Sequence, residues 1–218
     1  MNLKLQHGKC YYIFYIFMQF TVSIIFKILF RVEVVKNSSK KIPRKGRLIL
    51  CSNHMSYIDP VMLCMFFPRY VYYIAKKELF ENKFLSFIVT FLNAFPVNRL
   101  SVDKGTIRTS VDILEAEQTL GIFPEGTRSV DGIIREGQKG AGLISILGKS
   151  PILPVAIIGT NKIIQKPHKR IFFPKVKIYY GNLIHIEDIV KKYSKKEAIN
   201  IILKKVMISI KELYNEIK

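Results

Sequence analysis

Short apolar runs recur along the chain at 48–51, 70–75, 120–123, 152–158 and 176–180, each of strand length and each bounded by polar or turn-forming residues. Apolar positions at helical spacing fill the intervals. Residues 60–67 open with Asp59 in an N-cap position and Pro60 in the first helical position, both start signals. Over 78–91 the stripe is Phe80, Phe84, Phe87, Ile88 and Phe91; Ile107, Val111 and Leu114 form a second, and 138–147 a third. At the C-terminus Ser194 and Glu197 stand at capping-box spacing ahead of Ile199, Ile202, Leu203, Val206, Ile210, Leu213 and Ile217, which predicts an amphipathic helix packed on the body. Strands alternating with helices predict an α/β fold with a mostly parallel central sheet flanked by helices.

The first part of the chain has a different pattern. Residues 10–26, CYYIFYIFMQFTVSIIF, carry no charge before Lys27 interrupts and Arg31 follows. Seventeen uncharged residues, many of them aromatic, suit a short spanning helix or one lying in the membrane interface, and both readings stay open. No small-residue cleavage site follows the run, which argues against a secretory signal. Positive charge is heavier after it (Lys27, Arg31, Lys36, Lys40, Lys41, Arg44, Lys45, Arg47) than before it (Lys4, Lys9), which predicts that the remainder faces the cytoplasm. Residues 36–47, with Pro43 and Gly46, read as a linker, so the chain divides into a membrane anchor and linker over 1–46 and a body over 47–218.

At 218 residues there is room for one sizeable core with an appendage. Apolar residues make up 49% of the chain, more than a freely soluble domain usually carries and less than a polytopic membrane protein needs. Lys and Arg outnumber Asp and Glu by 35 to 16, a net charge of +19 that attracts nucleic acid, anionic lipid or phosphorylated substrates. Cys10, Cys51 and Cys64 lie in apolar contexts without CxxC spacing and read as reduced core residues.

The chemistry concentrates in two loops. SNHMSYIDP follows the 48–51 run, so His54 is delivered to the carboxyl end of a strand, where ligands bind in open α/β sheets. With the helix starting at Pro60, MSYI can fold His54 back onto Asp59; a carboxylate on one ring nitrogen fixes the tautomer and stabilises the imidazolium formed when the other takes a proton. The competing reading is a plain helix cap beside a loop histidine. Ser52 and Ser56 lie nearby but not in a GxSxG elbow, which points to an attacking hydroxyl that belongs to the substrate. The remaining histidines, His7, His168 and His185, stand in no ligand spacing, so no metal site is expected. In GIFPEGTRS a strand ends at Phe123, Gly126 permits close approach of the backbone to a ligand, and Arg128 offers a planar fork suited to phosphate. Equally open is an ordinary turn in which Arg128 pairs with Glu125. Arg99 in FPVNR, with Lys104 near it, can join Arg128 in clamping one phosphate.

NHMSYID resembles the NHxxxxD block of the glycerolipid acyltransferases, FPVNR their second block, FPEGTRS their third, and ILPVA at 152–156 their fourth, in the same order over about 48–160. Asn98 departs from the aspartate that often precedes the arginine in the second block. The resemblance implies that His54 is the catalytic base with Asp59 as its partner, and that Arg99, Lys104, Glu125, Gly126, Thr127 and Arg128 form the site for an acceptor bearing glycerol phosphate. It also implies acyl transfer from acyl-CoA or acyl-acyl carrier protein to the sn-2 hydroxyl of 1-acylglycerol 3-phosphate (lysophosphatidate). The product would be phosphatidate, in phospholipid biosynthesis at the cytoplasmic face of the membrane. Neither cofactor nor nucleic acid takes part in that reading. The same chemistry on glycerol 3-phosphate or another lysophospholipid is the nearest alternative; a non-enzymatic polyanion or membrane binder is the other.

Overall fold

The computed structural model describes residues 9–36, 42–97, 104–129, 131–165 and 170–217. Its centre is β2 (Leu48–Ser52), in which every residue is buried. Such a strand is covered on both faces, which is why its sequence is a continuous apolar run rather than an alternation. Leu48 and Leu50 face one side of the sheet and Ile49 and Cys51 the other. β6 (Ile152–Ile158) is buried in the same way up to Ile157, with Ile158 half-buried. Around them lie β1 (Glu33–Lys36), β9 (Lys177–Tyr180), β5 (Thr119–Ile122), β3 (Val71–Lys76) and β4 (Ala94–Val97), giving a seven-stranded sheet in the order β1-β9-β6-β2-β5-β3-β4. Every pairing is parallel except β6 with β9. Two short strands, β7 (Ile164–Gln165) and β8 (Arg170–Ile171), pair separately.

Helices cover both faces. On one side α1 (Lys9–Phe30) and α2 (Asp59–Phe66) pack through Phe30, Met62 and Leu63 against Leu48, Leu50 and Tyr73. On the other, α4 (Lys104–Glu115), α5 (Gly140–Leu147) and α7 (Lys195–Ile217) place Leu114, Ile144 and Ile202 over Ile49, Cys51 and Leu120. The capping box forms: Ser194 N–H donates to Glu197 Oε2 at 3.1 Å, and Glu197 N–H to Ser194 Oγ at 3.4 Å. Cys51 and Cys64 are buried free thiols, and burial pushes both up in pKa, Cys64 to about 12, so they are inert core residues.

Several elements depart from expectation. The helix expected from residue 78 splits into a 3₁₀ turn at Lys77–Phe80 and α3 (Lys83–Phe91), because Asn82 Oδ1 accepts the Leu85 N–H at 3.1 Å and starts the helix there. β4 contains Pro96, which an edge strand tolerates. Pro154 lies in central β6, yet its carbonyl still accepts from Gly181 at 2.9 Å, and the N–H it lacks falls where β9 has ended. The short α6 (Glu187–Lys192) was not legible. β1 belongs to the segment divided off at residue 46, but here it forms the edge of the sheet.

α1 lies alongside the body. Tyr15 is buried with its ring 4.2 Å from Tyr70 and 5.5 Å from Phe91. Gln19 Nε2 donates to the carbonyls of Cys64 (2.7 Å) and Phe67 (2.9 Å), closing the end of α2. At the far end Phe30 meets Phe173 at 5.6 Å and Arg31 donates to the Phe173 carbonyl. Ile13, Phe17, Phe20 and Ile28 are exposed.

Candidate functional site

β2 ends at Ser52, and the next side chain extends its ladder by other means. Asn53 Nδ2 donates to the Ile157 carbonyl (2.9 Å) while Oδ1 accepts the Ile157 N–H (2.8 Å), pinning the loop to β6. His54 follows, 8% exposed, with Nδ1 2.9 Å from Asp59 Oδ2. That contact makes Nδ1 the protonated nitrogen and leaves Nε2 for a substrate. The two side chains therefore meet as expected, but Asp59 is not the N-cap. It occupies the first position of α2 after Ile58, and the helix start has no side-chain cap bond. Its carboxylate turns back into the loop instead, where Oδ2 also accepts the Met55 and Ser56 N–H groups at 2.6 and 2.7 Å. Three donors on one fully buried oxygen outcompete the helix start.

The second loop is laid against the first. Phe123 stacks on the His54 ring at 4.1 Å with 22° between planes, and Tyr73 stacks behind it at 5.9 Å. Gly121 gives that stack its room, since a Cβ there would enter the Tyr73 ring. Gly126 takes φ +69°, and a Cβ would strike the Gln138 amide. Glu125 is buried, with Oε1 accepting the His54 N–H (2.8 Å) and Oε2 accepting Ser129 O–H (2.6 Å) and Arg135 N–H (2.9 Å). The Glu125–Arg128 pairing held open from sequence does not form; the Arg128 guanidinium lies 3.4 Å above the exposed Tyr57 ring instead.

A cleft of about 380 Å³ opens beside His54 at the carboxyl ends of β3, β4 and β5. His54 and Thr127 line its polar part; Ile74, Val97, Ile122 and Ile144 line its apolar part. Gly126 borders it as well. Lys104 is exposed at the start of α4 and is not among the lining residues. Arg99 lies outside the described residues, so its expected clamp with Arg128 is not placed. Among the described residues no cluster of three or more His, Cys, Asp or Glu is arranged to hold a metal. Asn53, Tyr57, Phe123 and Ser129 were not singled out as site residues, although the first two lie within NHMSYID and the other two within FPEGTRS.

Residues 33–158, which carry all of these groups, match the family model described as Acyltransferase. The chain belongs to the acyltransferase family. Among the relatives of this acyltransferase is the 1-acyl-sn-glycerol-3-phosphate acyltransferase of Bacillus subtilis (strain 168), 29% identical over 182 residues, covering 83% of this chain and 87% of that one. The enzyme of the same name from Borreliella burgdorferi is 26% identical and covers 78% of this chain and 69% of its own. The fold matches the crystal structure of the 1-acyl-sn-glycerophosphate (LPA) acyltransferase PlsC from Thermotoga maritima with a TM-score of 0.67 at 24% identity, over 94% of this chain and 88% of that one.

For an acyltransferase the arrangement has a direct chemical reading. The serines around the imidazole are engaged elsewhere: Ser52 Oγ donates to the Asn53 carbonyl, Ser56 Oγ accepts the Ile58 N–H, and Ser129 Oγ donates to Glu125. The His54 imidazole thus lines an open cleft beside serines that are bonded elsewhere, a geometry in which a bound hydroxyl can give up its proton to Nε2.

Proposed function

We propose that this acyltransferase moves a fatty acyl group from a thioester of coenzyme A or acyl carrier protein to the sn-2 hydroxyl of 1-acylglycerol 3-phosphate, forming phosphatidate. The observation that carries the reading is the buried His54–Asp59 pair at the mouth of an apolar cleft; the named activity of the relatives supplies the acceptor. His54 Nε2 takes the hydroxyl proton as the oxygen attacks the thioester carbonyl. The carbon–sulfur bond then breaks, and the thiolate recovers the proton from the imidazolium. No cofactor is needed beyond the donor itself. The apolar part of the cleft suits an acyl chain, and Arg128, held over Tyr57 outside the lining residues, is the cation assigned to the acceptor phosphate.

One preparation assayed with lysophosphatidate, glycerol 3-phosphate and other lysophospholipids tests the acceptor. Lysophosphatidate is expected to give the highest kcat/KM, and a preference for glycerol 3-phosphate overturns the assignment. Arg128→Ala is expected to raise the lysophosphatidate KM on the order of 10- to 100-fold, the worth of one or two charge-assisted hydrogen bonds. An unchanged KM would move the phosphate site elsewhere.

The same reading places the protein on the cytoplasmic face of a membrane, with the excess positive charge directed at anionic lipid and substrate rather than at nucleic acid. α1 touches the body from Tyr15 to Phe30, about 22 Å of helix. A helix held over that length cannot cross a bilayer without drawing the body's polar surface into the hydrocarbon, so it lies in one leaflet, exposed face down. The chain has no tryptophan, so Phe20→Trp reports depth without background. In phosphatidylglycerol–phosphatidylcholine vesicles, bromines near the headgroup end of the acyl chains are expected to quench it most. Strongest quenching by bromines at the chain ends would mean that α1 spans.

A further inference from the structure

We infer that Glu125 is a positioning residue for His54 and not a ligand of the acceptor phosphate. The inference rests on the acyl-transfer reading and assigns a separate task to one member of its site. Glu125 is 4% exposed, and both of its oxygens are already engaged, one by the His54 N–H and the other by Ser129 O–H and Arg135 N–H. The Arg135 guanidinium is turned away to Asp131, and among the described residues no cation pairs with Glu125 to make it part of a phosphate bridge. A buried carboxylate facing a phosphate dianion would repel it.

What the carboxylate does hold is the backbone of the histidine. His54 gives its N–H to Glu125 at 2.8 Å, and its carbonyl accepts the Ser129 N–H at 2.7 Å. Residues 125 to 129 therefore grip one peptide unit on each side of His54, as a neighbouring strand would, while Phe123 from the same loop lies flat on the ring. Asp59 fixes the ring by Nδ1. Between them the two loops hold both the backbone and the ring of His54, and among the described residues Glu125 supplies the side-chain link from the second loop to the His54 backbone. A displacement of His54 by a fraction of an ångström lengthens the proton transfer without altering how the acceptor phosphate binds.

Glu125→Gln keeps the size and offers one acceptor oxygen where the carboxylate uses two, so either His54 N–H or the Ser129 and Arg135 donors lose their partner. The expected result is a fall in kcat on the order of 10- to 100-fold with the lysophosphatidate KM within about twofold of wild type. Faster amide hydrogen exchange at His54 is expected alongside it. An unchanged kcat, or a KM raised about tenfold or more, overturns the inference. If the glutamine variant does not fold, Ser129→Ala removes only one donor to Oε2 and is expected to show the same split at smaller amplitude; a raised KM with unchanged kcat counts against the inference there too. Wild-type protein inactive on lysophosphatidate would overturn the acceptor assignment alone, since exchange at His54 still judges the Glu125 bond.

Discussion

His54→Ala is expected to lower acyl transfer by about 10²- to 10⁴-fold, the usual worth of a positioned general base. The loss should be in kcat, with membrane binding and melting temperature close to wild type. His54 is buried at the edge of a cleft and belongs to no hydrophobic core cluster, and its backbone bonds to Glu125 and Ser129 do not need the side chain. Truncation removes the imidazole that stacks on Phe123, a contact of modest energy. Steady-state rates of thiol release with and without lysophosphatidate, beside a vesicle-flotation assay, give both readouts. A purified variant retaining near wild-type turnover would sink the general-base assignment.

Asp59 is expected to show two separable effects. Asp59→Ala strips acceptors from the N–H groups of buried Met55 and Ser56, at about 1–3 kcal/mol for each donor left unpaired, so stability is expected to fall along with activity. Asp59→Asn keeps an oxygen for those donors but not the negative charge that stabilises the imidazolium. Its melting temperature should lie near wild type while kcat drops by on the order of 10²- to 10⁴-fold. Thermal melts and kcat measured on both variants decide the matter; an asparagine variant with wild-type rate would show that Asp59 is only loop scaffolding.

The parts of the fold that could be read from sequence were those whose environment is uniform. β2 and β6 sit between two helical layers, so their burial leaves an unbroken apolar run, and the capping box at Ser194 and Glu197 is local chemistry that needs no tertiary partner. β1 and β4 are edge strands of four residues, one ending in charge and the other holding proline, and nothing in such short stretches separates them from loop. At the site, residue types and order singled out His54, Asp59 and Arg128 as candidates, and the structure brings the first two together. The division of labour was out of reach because it depends on which groups are already satisfied. Asp59 looks like a cap until its oxygen is seen to hold three donors, and Glu125 looks like a ligand until both of its oxygens are seen to be taken. Asn53 stands next to the histidine in sequence, but its partner Ile157 is 104 residues away.

The two hydrogen bonds from Gln19 change what the N-terminal helix is to the rest of the molecule. They close the tail of the same helix that carries Asp59 at its head, while Tyr15 and Phe30 fill places in the interior. Cutting the chain ahead of β1 to obtain a soluble catalytic fragment would bare two carbonyls and an apolar flank of α2. The helix is therefore a member of the folded body as well as its proposed hold on lipid, and detergent or lipid belongs in the refolding mixture from the start.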